Sequence, residues 1–221
     1  MTSLQVAYEG IYDAPTAARY LLAARGANEA YPVTSRHLIR WVRIGLMHPD
    51  LALVPGRDLT VAFEDLISMR VIAAVRAAGV SWPRIRVAEE WLRQRTGHLR
   101  PFATEQLWTE RSDVLTELGD QLIAASRYGQ LAMEMLREYL IPVSGLRFED
   151  EVASSWEPRS YVVLDPAVQF GEPCIRNTRI PTRAVWGLVR GGDPESLVMQ
   201  SYGISEDELK AALAWEDKVA A

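Results

Sequence analysis

The chain has 221 residues, of which 48% are hydrophobic, enough for one large core or two smaller ones, and two units are expected. No run of about 18 or more apolar residues occurs and no basic stretch followed by an apolar one opens the sequence, so a soluble cytoplasmic protein with no membrane role is expected. The formal charge of −5 is unevenly divided, +4 over residues 1–100 and −9 over residues 101–221, which directs attention to a polyanionic partner for the amino half.

In chain order, Tyr12 to Arg25 (YDAPTAARYLLAAR) predicts a first helix: Asp13 caps, Pro15 falls in the first turn, and Ala17, Ala18, Leu21 and Leu22 recur at helical spacing. Val33-Thr34-Ser35 begins a second, with Leu38, Ile39, Trp41 and Val42 before a stop at Gly45. Leu51 to Val61 carries two apolar runs around Pro55-Gly56-Arg57-Asp58 and predicts a hairpin with Arg57 at its tip, in the position of a wing. Phe63 to Ala78 predicts a long amphipathic helix closed by Gly79, and Ser81-Trp82-Pro83 opens another running to about Arg95.

From Gly97 to Pro158 the apolar runs shorten. Gln106 to Thr109, Val114 to Leu118 and Gln121 to Ala124 predict strands, Gly129 to Leu140 a helix, and Val143 to Phe148 with Val152 to Trp156 a hairpin around the acidic turn Glu149-Asp150-Glu151. Tyr161 to Leu164 has strand composition and stops at Asp165-Pro166. Three short helices follow: Arg183 to Val189, Glu195 to Tyr202 with Asp193 as cap, and Glu206 to about Val219, opened by a Ser205/Glu208 capping box. The fold class expected is α+β, mostly helical, with segments at 1–96, 97–160 and 161–221.

Two arginine groups stand out. Arg36, Arg40 and Arg43 fall at i, i+4 and i+7 on one face of the second helix, beside Ser35. Such a helix suits a DNA major groove, where guanidinium groups reach phosphates and guanine edges, with Arg57 reaching backbone or minor groove; a surface stripe that binds nothing is the plain alternative. Arg176, Arg179 and Arg183 fall within eight positions after the breaks at Gly171 and Pro173, with Asn177 between them. Either they accept phosphate or a cluster of carboxylates, or Arg176 and Arg179 brace the loop through Asp165, Glu172 or carbonyls.

Other chemistry finds little support. Cys174 is the single cysteine, expected as a small buried hydrophobe, and His37, His48 and His98 lack metal-site spacing, so neither metal nor cofactor is expected. There is no phosphate-cradling glycine fingerprint and no nucleophile elbow. The acidic pairs Glu64-Asp65 and Glu89-Glu90 are expected on exposed faces. A binding protein rather than an enzyme follows.

Two resemblances sharpen this. The motifs Asp-Pro, Gly-x-Pro-Cys-Ile-Arg, Thr-Arg-Ile-Pro and Ala-Leu-x-Trp-Glu, spread between Val162 and Glu216, resemble the domain of unknown function four-three-three, which recurs in VapB-like antitoxins of type II toxin–antitoxin pairs. Trp41, Gly45-Leu46, Phe63 with Asp65-Leu66, and Gly79-Val80-Ser81 resemble the MerR-type winged helix-turn-helix, although Ile39 stands where that family usually has arginine. The resemblances imply an antitoxin with a homeodomain-like carboxyl unit, whose partners are operator DNA, bound as a homodimer, and a PIN-type (VapC-like) ribonuclease toxin. DNA contact then falls to Ser35, Arg36, Arg40, Arg43 and Arg57, and toxin contact to Arg176, Asn177, Arg179 and Arg183. The alternative they leave open is a MerR-like regulator that has no toxin.

Overall fold

The computed structural model describes residues 10–25, 33–45, 59–77, 79–108 and 145–221, in which helices pack around two small antiparallel sheets. The amino part runs β1 (Ile11–Asp13), α1 (Ala14–Ala23), α2 (Ser35–Arg43), β2 (Thr60–Ala62), α3 (Phe63–Ala77) and α4 (Trp82–Thr96). Asp13 caps α1 by accepting from the Thr16 amide at 2.7 Å, as its side chain predicts, and Thr34 caps α2 through the His37 amide.

Of the expected wing, residues 51–58, Arg57 included, lie outside the described residues. The described end of it, Thr60–Ala62, pairs with Ile11–Asp13, so that Tyr12 lies opposite Val61. Apolar alternation specifies a strand but not its partner.

Helix α3 is the centre of the core. Leu66, Ile67, Met69, Val71, Ile72, Ala74 and Val75 are buried along it, and so are Asp65, Ser68 and Arg70, so the helix is enclosed rather than amphipathic. Asp65 is 1% exposed and not on a surface face as the sequence predicts. Its carboxylate accepts from the Ala62 amide at 3.0 Å, securing the entry to α3, and pairs with Arg100 at 2.7 Å. Glu89 is buried likewise, against Arg93.

Glu105–Trp108 forms a short helix, α5, where the sequence predicts a strand at Gln106 to Thr109. A four-residue apolar run does not discriminate between the two, and here the Leu107 amide reaches back to the Thr104 carbonyl. Residues 109–144, with the strands and helix predicted there, lie outside the described residues.

The carboxyl part opens with the expected hairpin, β3 (Leu146–Glu149) and β4 (Val152–Arg159), whose turn holds Asp150 and Glu151 at positive φ. Strands β5 (Val162–Leu164) and β6 (Cys174–Ile175) complete a sheet of order β3-β4-β5-β6, antiparallel throughout. Helices α6 (Thr182–Arg190), α7 (Glu195–Tyr202) and α8 (Glu206–Ala220) follow. The Ser205/Glu208 capping box forms on α8, whereas α7 takes Pro194, not Asp193, as its cap residue.

The ends of the chain share one core. Trp215 of α8 is fully buried with its ring 6.1 Å from that of Tyr20 on α1, and Trp156, Val162 and Leu164 from the sheet join the same cluster as α3. Arg159 donates to the carbonyls of Ala23 and Arg25 at 3.2 and 2.9 Å, closing the carboxyl end of α1 with a cation. A smaller cluster, Ile175, Val185, Val198, Ile204, Leu209 and Ala212, holds the last three helices together. Among the described residues no helix is long and apolar enough to cross a membrane.

Candidate functional site

The arginine loop sits at the edge of the four-stranded sheet. After β5, Asp165 accepts from the Ala167 amide at 2.8 Å and starts a turn that ends in a helical twist at Gln169–Gly171. Gln169 and Phe170 both take positive φ, at 49° and 56°, and Phe170 is 73% exposed. This unfavourable backbone is held from below. The Tyr12 hydroxyl, buried beneath the turn, donates to the Gly171 carbonyl at 3.0 Å, and burial raises that phenol above its ordinary range, leaving it protonated and able to donate.

After β6, Arg176 to Arg179 form a tight turn with Asn177 at φ 61°, a conformation asparagine tolerates. The Thr178 hydroxyl donates to the Ile175 carbonyl at 2.8 Å and accepts from the Ile180 amide at 3.0 Å, and the Ile175 amide reaches the Ile180 carbonyl at 2.9 Å. The Gln169 side chain donates to the Arg179 carbonyl at 3.1 Å, tying the two turns together.

The three arginines occupy different situations. Arg176 is braced: it pairs with Glu157 at 3.0 Å and lies over the Tyr161 ring at 4.6 Å, while Glu157 also accepts from the Tyr161 amide at 2.9 Å. Arg183, exposed on the first turn of α6, pairs with Glu172. Arg179 is exposed and has no ion pair among the described residues. Bracing therefore applies to Arg176 and Arg183, through Glu157 and Glu172, and not to Arg179.

Beneath the loop, the Thr182 hydroxyl donates to Glu216, while the Pro173 carbonyl, 3.2 Å from that hydroxyl, accepts from the Thr182 amide at 2.9 Å. Burial raises the Glu216 carboxyl, against the lowering effect of the Thr182 hydrogen bond, and the neighbouring Glu172 adds to the rise. Cys174 is buried as expected, and burial pushes its thiol up to about 11.

On α2, Arg36, Arg40 and Arg43 are exposed and Ser35 is half-buried, while Leu38 and Trp41 point into the core. Trp41 packs on Trp82 with ring centroids 5.7 Å apart, and Arg86 of α4 donates to the Ile44 carbonyl at the end of α2. The helix is thus anchored on one side and offers its arginines on the other.

Three contributors to the loop are not singled out in the sequence. Glu157 and Tyr161 hold Arg176 from a neighbouring strand pair, and Phe170 is displayed by a backbone conformation that no motif predicts.

Residues 162–215 match the family model described as "Protein of unknown function (DUF433)". The chain is 29% identical over 185 residues to a Mycobacterium tuberculosis protein named "Putative antitoxin VapB45", covering 76% of this chain and 74% of that protein. It also shares a fold with the crystal structure of Rv2018 from Mycobacterium tuberculosis, at a TM-score of 0.71 and 25% identity over 91% of this chain and 96% of that one. The chain is antitoxin-like in these respects.

Proposed function

We propose that this chain is the antitoxin of a type II pair, a non-enzymatic cytoplasmic protein that silences a cognate PIN-type ribonuclease by direct binding and represses its own operon. The similarity to "Putative antitoxin VapB45" over three quarters of the chain is the observation that supports this reading most directly. The loop geometry is consistent with it. Arg179 carries an uncommitted guanidinium on a turn stiffened by Thr178 and by the Arg176–Glu157 pair, so little ordering cost remains when it meets a partner. A planar fork of donors matches the carboxylates that hold Mg²⁺ in such a nuclease and would neutralise them bidentately. Asn177 and Arg183 flank that contact, and the bare ring of Phe170 supplies an apolar anchor of the kind that pairs with arginine at protein interfaces.

In the same reading, α2 lies in the major groove of operator DNA with Arg36, Arg40 and Arg43 towards phosphates and bases, Ser35 beside them, and Arg57 on the backbone or minor groove. A homodimer then reads an inverted repeat with half-sites about 34 Å apart, or a multiple of that. The test is co-purification with the product of the adjacent gene, followed by a ribonuclease assay with and without this chain. A stable complex with suppressed cleavage supports the reading; no partner and no nuclease would favour a stand-alone regulator.

A further inference from the structure

The outer face of the four-stranded sheet carries a cavity that shares Arg179 with the proposed toxin contact and extends from it to Arg147. Strand alternation sends Trp156 and Leu164 into the core and puts Arg147, Ser155, Val163 and Cys174 on the opposite face, where Arg147 pairs with Ser155 and Val163 with Cys174. These four line a cavity of about 310 Å³ that also takes in Asp165, Arg176 and Arg179.

The charges in its wall are unbalanced. Arg176 is committed to Glu157, and Asp165 to the Ala167 amide. Arg147 and Arg179 have no ion pair among the described residues, and they come one from each edge of the sheet, since β3 and β6 are its outermost strands. The floor between them is neutral: Val163 is apolar, and burial keeps the Cys174 thiol protonated.

We infer that this cavity binds a carboxylate carried on a short apolar stem, with the guanidinium groups of Arg147 and Arg179 on the carboxylate and the stem over Val163 and Cys174. Phosphate fits less well, because the Asp165 carboxylate in the same wall repels a dianion more strongly than a monoanion, and the apolar floor gives phosphate nothing to cover. The carboxylate could come from a free organic acid or from an acidic side chain of a protein. Neither source requires the toxin.

The test is calorimetric titration of the full chain, alone, with butyrate, with acetyl-Gly-Glu-Gly-amide and with inorganic phosphate. Saturable binding of butyrate alone identifies a free acid as the ligand, binding of the peptide alone identifies a protein side chain, and binding of both shows that the shared chemistry suffices. In each case Arg147→Gln and Arg179→Gln should weaken binding about tenfold or more, the loss expected for one charged hydrogen-bonding partner. Arg147→Lys should fall between, keeping the charge and losing the fork. Both arginine positions are at the surface, so unchanged melting of the variants excludes a folding defect. The inference is overturned if neither carboxylate saturates, if phosphate binds as well as they do, or if the glutamine variants bind like the wild type.

Discussion

Replacing Trp215 by Ala tests whether the last helix belongs to the same core as the first. The indole is 1% exposed and lies against Tyr20, and its NH donates no hydrogen bond among the described residues, so the side chain acts through packing. A tryptophan buries roughly 150–250 Å². At about 25 cal/mol per Å² that gives about 4–6 kcal/mol as an upper bound, and large-to-small core substitutions of this kind cost about 3–5 kcal/mol. Trp215→Phe keeps an aromatic ring and loses no hydrogen bond, so it should cost about 1–2 kcal/mol. Chemical denaturation followed by far-ultraviolet circular dichroism measures both. A cost below about 1 kcal/mol for Trp215→Ala, or a biphasic transition with the helical signal of the amino part unchanged, would refute a shared core.

Three other outcomes follow from particular contacts. A Cβ on Gly171 would sit 2.1 Å from the Tyr12 hydroxyl oxygen on a backbone at φ +84°, so Gly171→Ala should lower stability by more than about 2 kcal/mol, against about 1 kcal/mol for Tyr12→Phe, which removes only the hydrogen bond. Because burial raises the Glu216 carboxyl, the folded chain holds that proton to higher pH than the unfolded chain does; the contribution is fully present below the unfolded value and is lost as pH rises through the folded one. Glu216→Gln should therefore gain stability relative to the wild type as pH rises above the ordinary glutamate value of about 4.3, as thermal melts across pH will report. Replacing Arg36, Arg40 and Arg43 together by Ala should lower operator affinity and reduce the slope of log K against log salt by roughly 2.7, the share of three phosphate contacts, measured by fluorescence anisotropy from low to moderate salt.

Much of the local structure is legible in the sequence because it rests on local chemistry. Asp13 caps α1 through the amide three residues on, Ser205 and Glu208 satisfy each other's neighbours at the start of α8, and the acidic turn at 149–151 closes its hairpin. What escapes is long-range. Asp65 looks like a surface acid on an amphipathic helix until Arg100, thirty-five residues away, covers it. Thr60–Ala62 pairs with Ile11–Asp13, a partner near the start of the chain that an apolar run does not name.

The candidate site divides the same way. A run of arginines after Gly171 and Pro173 marks the loop, yet only the register of four strands separates Arg176, which faces Glu157, from the uncommitted Arg179. Arg147 reaches the same cavity from a hairpin whose pairing shifts between Arg147 and Phe148, an irregularity that apolar alternation alone does not predict.

The most direct test of the antitoxin reading is a titration of the ribonuclease activity of the adjacent gene's product with this chain and with its Arg179→Ala variant. The account predicts that the wild-type chain abolishes cleavage at a fixed stoichiometry and that the variant needs about 10–100 times the concentration, the loss expected for one charged contact at an interface. Cleavage that is unaffected by the wild-type chain, or silenced equally well by the variant, would contradict it.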